Sequence, residues 1–412
     1  MDRIIILDSH ANQALVAIRS LGRRGLRVTT GSSVGTNAGK WSKYVTRYFE
    51  YPNPETDPEG FVDAVEREVK ARHYAMLLPI NQSTVEVVAQ HRARFDPYTA
   101  IPFLPYDRLV VGLSKRETIE AARQHDLPHP ATMLPEEVDF DAVGERIGYP
   151  VVVKPARGSG RSGVSICETQ VELERVYPET VAEHGPCLLQ EFVPNGGERG
   201  VYTMYDETGT LAGLVVQKRI RSNPPEGGSS TFRETIVDEP LVAMTDRFLT
   251  ALDWRGVAMA EYRIDARDGT PKLMEVNPRL WGSLPLSYFA GVDFSFMLYQ
   301  LAMGEPVDAN LEYTVGVQAR SLVNDFLQVR ARPDTARALV EFCTPSGKPC
   351  CYDGFSLDDP MAALGLVGYY VEVAGKKLAP TRLAGLLSAT VERKQRAMDS
   401  VLATGYDGKK RE

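Results

Sequence analysis

The sequence predicts a multidomain chain of mixed α/β and α+β class. Its 412 residues exceed the size at which a single core stops growing, so two or three domains are expected. The first hundred residues alternate short β-branched runs with amphipathic helical stretches, as a helix-covered parallel sheet does. Residues from about 150 to 280 read instead as strands joined by glycine-containing turns, an antiparallel pattern. The expected layout is an α/β domain over 1–112, a second domain over 113–305 with a hairpin-bearing lobe at about 130–195, and a mixed region over 306–412.

Composition narrows the class. Hydrophobic residues are 43% and charged residues 25%, as in an ordinary globular protein. A net charge of −7 argues against a nucleic-acid surface as the main partner. Five cysteines without framework spacing predict reduced thiols and a cytoplasmic location. The apolar run in MDRIIILDSH is too short for a signal peptide or a membrane span.

In chain order, Arg3–Asp8 reads as a buried strand, Asn12–Arg24 as a helix ended by Gly25, and LRVTT as the next strand. A helix over Glu59–Arg72, the strand AMLLPI, a helix over Thr84–His91 and the strand TAIPFL complete the first domain. Ser9, Asn12 and Asn81 sit at strand ends, where ligand contacts occur, and helix-cap or turn positions are the favoured role. The opening turn SHANQ carries no glycine fingerprint for a dinucleotide. Ser114 and Glu117 have capping-box spacing, which puts Lys115 in a first helical turn.

YPVVVKPARGSGRSG, from Tyr149, is a strand ending at Lys154 followed by a loop with Gly158, Ser159, Gly160, Ser162 and Gly163. The next residues, VSIC, signal a strand where a dinucleotide fingerprint requires a helix. The loop is therefore a hairpin flap whose peptide N–H groups can close over phosphates. LLQEFVP then places Gln190, Glu191, Phe192 and Val193 before an expected turn, PNGGE, with Glu198 able to accept from ribose hydroxyls. Two strands follow, VYTMYD and LAGLVVQKR. IRSNPPEGGSSTFRE reads as a loop, and Arg219, Arg221, Ser229, Ser230 and Thr231 suit an anionic substrate. A helix is expected over Pro240–Leu252, and later ones over Phe294–Met303, Asp334–Phe342 and Pro380–Ala397, with a strand near Thr314–Arg320.

The chain is organised around KLMEVNPRLWGS, Lys272–Ser283. Glu275 interrupts an apolar strand, where an unpaired carboxylate is costly. Asn277 and Arg279 share its face, and Pro278 stops the ladder. The Asp268-Gly269 turn brings GVAMAEYRID back alongside, so Glu261 can sit beside Glu275. Two carboxylates and an amide oxygen near an arginine suit Mg²⁺ with phosphates.

Lys115, Lys154 with its glycine flap, QEFV, Glu198, Glu261 and MEVNPR occur in an order that resembles the ATP-grasp superfamily, over about residues 110–305. The resemblance implies an N-terminal pre-ATP-grasp α/β domain and a two-lobed ATP-grasp fold. It implies that Lys115, Lys154 and the flap hold ATP phosphates, that Gln190–Val193 line the adenine pocket, and that Glu198 holds the ribose. It implies Mg²⁺, or Mn²⁺ in its place, on Glu261, Glu275 and Asn277, with Arg279 and Lys154 serving catalysis. The implied activity is carboxylate–amine ligation through an acyl phosphate, with small-molecule acid and amine substrates and neither nucleic acid nor membrane. The alternatives are phosphorylation of a small carboxylate such as bicarbonate, as in carbamoyl-phosphate synthase, and a non-catalytic ATP-binding regulator. LWGS replaces the Gln-x-Glu run expected of a biotin carboxylase, and no biotin-attachment lysine motif is present. The first domain and the C-terminal region offer surfaces for a homodimer.

Overall fold

A computed structural model of the chain describes residues 2–35, 37–158, 162–224, 228–332 and 334–368. The first of its three sheets contains β1 (Arg3–Ile6), β2 (Arg27–Ser32), β3 (Val45–Glu50) and β4 (Met76–Leu78), parallel and ordered β3-β2-β1-β4. Ile4, Ile5 and Ile6 are fully buried, as befits a parallel strand covered on both faces. Sequence reasoning missed β3, because VTRYFE lies at an edge and lacks a continuous apolar run. It also expected TAIPFL to be a strand. That segment makes a single bridge, Ala100 with Met76, and Pro102 lacks the N–H needed to extend it.

The second sheet is antiparallel, with β5 (Thr132–Met133), β6 (Val151–Pro155), β7 (Ser165–Cys167) and β8 (Cys187–Glu191) ordered β5-β8-β6-β7. It has its own apolar core, around Met133, Val151, Val153, Leu173 and Leu189. The β6–β7 hairpin is the expected flap, although Ser159, Gly160 and Arg161 lie outside the described residues. Gly163 has φ of 70°, and a Cβ there would stand 2.6 Å from the His184 ring, so only glycine fits.

The third sheet has seven strands: β9 (Asn195–Tyr205), β10 (Leu211–Asn223), β11 (Ser229–Thr235), β12 (Gly256–Asp265), β13 (Pro271–Asn277), β14 (Gln318–Arg320) and β15 (Cys350–Tyr352). Their order is β13-β12-β9-β10-β11-β14-β15, antiparallel except for β14–β15. Two expectations are corrected here. The predicted turn PNGGE begins β9, because Asn195 pairs with Asp265 and a side chain at Gly196 would collide with the backbone near Ala266. The predicted loop over 220–234 is mostly a hairpin, with Ser222 opposite Ser230.

One continuous apolar core runs from Ile4–Ile6 to Trp281 and Phe294, joining the first sheet to the third. The C-terminal region is tied in as well. Its strands β14 and β15 extend the third sheet, and helices Leu322–Ala331 and Thr335–Cys343 pack nearby. The helix expected over 380–397 lies outside the described residues. All five cysteines are free thiols. Among the described residues no helix is long and apolar enough to cross a membrane.

Arg19, on the helix Asn12–Arg23, is buried against Asp359, with Nε donating at 2.9 Å. Asp359 also accepts from Ser42 Oγ and the Lys43 N–H. Asp359→Ala strands that guanidinium without its charge partner, and is expected to cost about 3–5 kcal/mol in chemical denaturation. A loss below about 1 kcal/mol would show that the pair does not anchor the C-terminal segment.

Candidate active site

Strands β12 and β13 set the geometry. Their antiparallel register places Glu261 directly opposite Glu275 and Met259 opposite Asn277. Side chains so placed stand about 5 Å apart at Cβ, and like charges there repel. Neighbouring cations and donors offset this. Arg219 Nη2 donates to Glu261 Oε2, and its Nη1 donates to Glu198 Oε2 at 3.2 Å. Asn277 Nδ2 donates to Glu275 Oε1 at 2.9 Å, and Arg279 Nη2 donates to Asn277 Oδ1 at 3.1 Å. Burial and the Glu275 charge push Glu261 up despite Arg219. Burial also pushes Glu275 up, but Lys115, Asn277 and Arg279 outweigh it and hold that carboxyl below its usual range.

The carboxylates open into a cavity of about 480 Å³ between the second and third sheets. Lys154, near the end of β6, lines it, 6% exposed and, among the described residues, without a hydrogen bond or ion pair from its ammonium. Burial, then the nearby Lys115 charge, lowers it to about 7. Lys115 lines the same cavity. Its N–H donates to Ala156 O at 2.8 Å and its Nζ to Gly158 O at 2.7 Å, so the helix Lys115–Gln124 starts on the flap's base. Ser114 Oγ caps that helix at Glu117 N–H, but the return half of the expected box is absent. Ser114's own N–H is already held by Val110 O, and the Glu117 carboxylate turns to Arg116.

The cavity has an apolar end and a polar end. Val152, Ile166, Phe192, Val193 and Met274 make a slot between the two sheets. Phe192 and Val193 lie past the end of β8, outside its ladder, and line this part of the cavity. Gln190 and Glu191 line the cavity as well, with side chains already engaged. Gln190 is buried with Nε2 on Thr132 Oγ1 at 2.9 Å, so its amide serves packing. The Glu191 carboxylate accepts from Lys272 at 2.8 Å, from Arg267 and from Ala131 N–H, which ties the flap lobe to the third sheet.

Of the expected substrate residues, the structure brings Arg219, Ser229 and Ser230 to the cavity. Arg221 and Thr231 do not belong with them. Arg221 is locked on buried Asp325 by two 2.7 Å bonds, and Thr231 donates to the same carboxylate at 2.9 Å. Simple alternation would keep Arg221 on the face of Arg219, but the β10–β11 ladder shifts register between Arg219 and Arg221, and that irregularity re-aims Arg221. Glu198 lines the cavity, but its oxygens already accept from Arg219 and Arg263. Asn81 stands at the N-cap of the helix Gln82–Gln90 and Ser9 lies in a turn, as expected, although Asn81 makes no side-chain cap bond. Ser9 bonds Asn37, Asn81 bonds His10, and Asn12, the first residue of its helix, lines the cavity with a buried Oδ1 that has no partner among the described residues.

Sequence reasoning missed Arg263, Tyr202, Ser283, Asn324 and Asp353, all on the cavity wall. Arg263 alone was legible, two residues from Glu261 on one strand face. The others come from distant elements, and no local pattern unites them.

The donor set fits a hard divalent cation. Among the described residues no three His, Cys, Asp or Glu side chains cluster as a metal cage. Two carboxylates and an amide therefore need phosphate or water oxygens to complete a shell, which is how Mg²⁺ is usually held. Asn277 must turn its amide over to offer Oδ1, because that oxygen now faces Arg279.

Comparison with known proteins agrees with this geometry. Residues 115–310 match the family model described as carbamoyl-phosphate synthase L chain, ATP binding domain. A D-aspartate ligase from Enterococcus faecium is 23% identical over 271 residues, covering 57% of this chain and 62% of that protein. A D-alanine–D-alanine ligase from Chromohalobacter salexigens is 35% identical over 132 residues, covering 32% and 38% respectively. The chain thus spans under two thirds of the length of these relatives. Among solved structures, a biotin carboxylase β,γ-ATP complex from Campylobacter jejuni superposes with a TM-score of 0.64 at 17% identity, covering 77% of this chain and 74% of that one. Residues 115–310 are thus similar to the ATP-binding domain of a carbamoyl-phosphate synthase large chain, and the fold is the ATP-grasp fold of the solved neighbours.

With Lys154 near 7, about half of its ammonium is deprotonated at pH 7. Phosphate oxygens raise that pKa, so a non-hydrolysable ATP analogue should bind with proton uptake. Relative to Lys154→Met, uptake is expected to be about half a proton at pH 7, rising above it and vanishing well below pH 6. Titration calorimetry in buffers of different ionisation enthalpy measures this. Equal uptake in both proteins would mean that Lys154 is fully charged before phosphates arrive.

Proposed function

We propose that the protein is an ATP-dependent ligase that activates a carboxylate as an acyl phosphate and joins it to an amine, releasing ADP and phosphate. The observation that carries this reading is the placement of Glu261 directly across from Glu275 in one cavity with Lys154, Lys115 and Arg279. Such a set handles phosphoryl transfer and has no evident use in a purely structural protein.

The apolar slot at Val152, Ile166 and Met274 takes the adenine, and the Phe192–Val193 peptide groups meet its edge. Lys115 and Lys154 neutralise the phosphates, under the flap. Glu261, Glu275 and Asn277 hold Mg²⁺, which when bound screens phosphate charge and orients it for in-line displacement. One oxygen of the substrate carboxylate attacks the γ-phosphorus, the bond to the ADP oxygen breaks, and Arg279 faces the charge that builds on the transferred group. The amine nitrogen then attacks the acyl carbon, the C–O bond to phosphate breaks, and the nitrogen sheds a proton. Arg219, Ser229 and Ser230 sit where the carboxylate approaches. The location is cytoplasmic and the ligands are small molecules.

The family model's description favours a second reading, phosphorylation of bicarbonate. An ADP-release screen of amino acids and small acids, singly and in pairs, separates the two. Release that requires an organic acid and an amine together supports ligation. Release with bicarbonate alone supports the second reading. Glu275→Ala is expected to lower turnover by about 10²-fold or more, and wild-type turnover in that variant would refute the site.

A further inference from the structure

Arg219 occupies an unusual position. Nη2 is bonded to Glu261, one of the two opposed carboxylates, while Nη1 is bonded both to Glu198 and to Gly228 O, each at 3.2 Å. Arg263 holds the other Glu198 oxygen at 2.7 Å. One arm of the guanidinium is therefore anchored to a fixed acid and to the hairpin end, and the other neutralises a carboxylate assigned to metal. Glu275 is likewise capped by a donor, the Asn277 amide. A divalent cation between Glu261 and Glu275 competes for the oxygens that Arg219 and Asn277 now hold.

On the paired strand, Ser230 Oγ is buried and has no hydrogen-bond partner among the described residues. It lines the same cavity as Arg219 and Ser229. A guanidinium and two serines on one stretch of cavity wall suit a carboxylate.

We propose that Arg219 is an exchangeable counter-cation that couples metal loading to substrate binding. Without metal, its Nη2 neutralises Glu261. When the divalent cation takes that oxygen, the guanidinium pivots on its Nη1 anchor, and Nη2 becomes free to hold the substrate carboxylate with Ser230. Metal-nucleotide therefore binds first and the acid second. This rests on the ligase reading given above, but it is tested without turnover.

The test is Mn²⁺ binding to the full chain, followed by electron paramagnetic resonance without nucleotide, in wild type, Arg219→Met and Arg219→Lys. Removing an internal competitor should tighten Mn²⁺ binding in Arg219→Met by roughly tenfold, with Arg219→Lys between it and wild type. A residue that merely supports metal ligands shows the opposite sign, a loss of about 10–100-fold. A second readout uses wild type alone, so it does not depend on a variant folding. Phenylglyoxal labelling of Arg219, read by mass spectrometry, should rise when Mg²⁺ is added. Unchanged or weaker Mn²⁺ binding in Arg219→Met, or labelling that ignores Mg²⁺, overturns the exchange and leaves the metal site standing. Absence of Mn²⁺ binding in every protein, with or without ATP, overturns both.

Discussion

Two carboxylates directly opposite one another on paired antiparallel strands cannot share a buried space without positive charge between or beside them. That constraint organises this protein. Glu261 and Glu275 are fixed by the β12–β13 register, in which a one-residue shift at Met274, between the Asp268-Gly269 turn and the acids, sets the two carboxylates opposite each other. Around them stand Arg219, Lys115, Lys154 and Arg279, each from a different element. The same demand for cations that stabilises the free site also suits it to a metal and a polyphosphate.

The fold supplies these charges economically. The first and third sheets share one apolar core, and the helix carrying Lys115 packs against β13. Gly112 packs on Pro278, where a Cβ would stand 2.9 Å from the proline ring, so the start of that helix and the Asn277–Arg279 corner are in close contact. The second sheet has a separate core and brings Lys154 and the flap. A lobe with its own core can shift over a ligand without disturbing the shared one. The C-terminal region completes the wall, and through Asp325 on its helix Leu322–Ala331 and Asp353 just after β15 it neutralises Arg221 and Arg233 in the third sheet.

The parts legible in the sequence were those built from local pattern. The β-α-β opening followed from β-branched runs and helical spacing. The flap followed from a glycine loop between two strand signals. The acid pair followed from one turn and a period of two. What escaped depended on pairing across distance. The edge strand β3 has no local apolar run, and PNGGE carries turn residues yet is held in β9 by its neighbour β12. Arg221 and Thr231 were misassigned because the register of the β10–β11 hairpin, not composition, decides which face a side chain takes. Asp325, which claims both, is 94 residues or more away in sequence.

The most direct test is a crystal of the chain grown with Mn²⁺ and a non-hydrolysable ATP analogue, with anomalous scattering recorded for the metal. The expected result is a peak between the Glu261 and Glu275 carboxylates, with the triphosphate reaching it from beneath the flap and Lys154. A bound nucleotide with its metal elsewhere, or with those two carboxylates still engaged only by Arg219 and Asn277, would contradict the account.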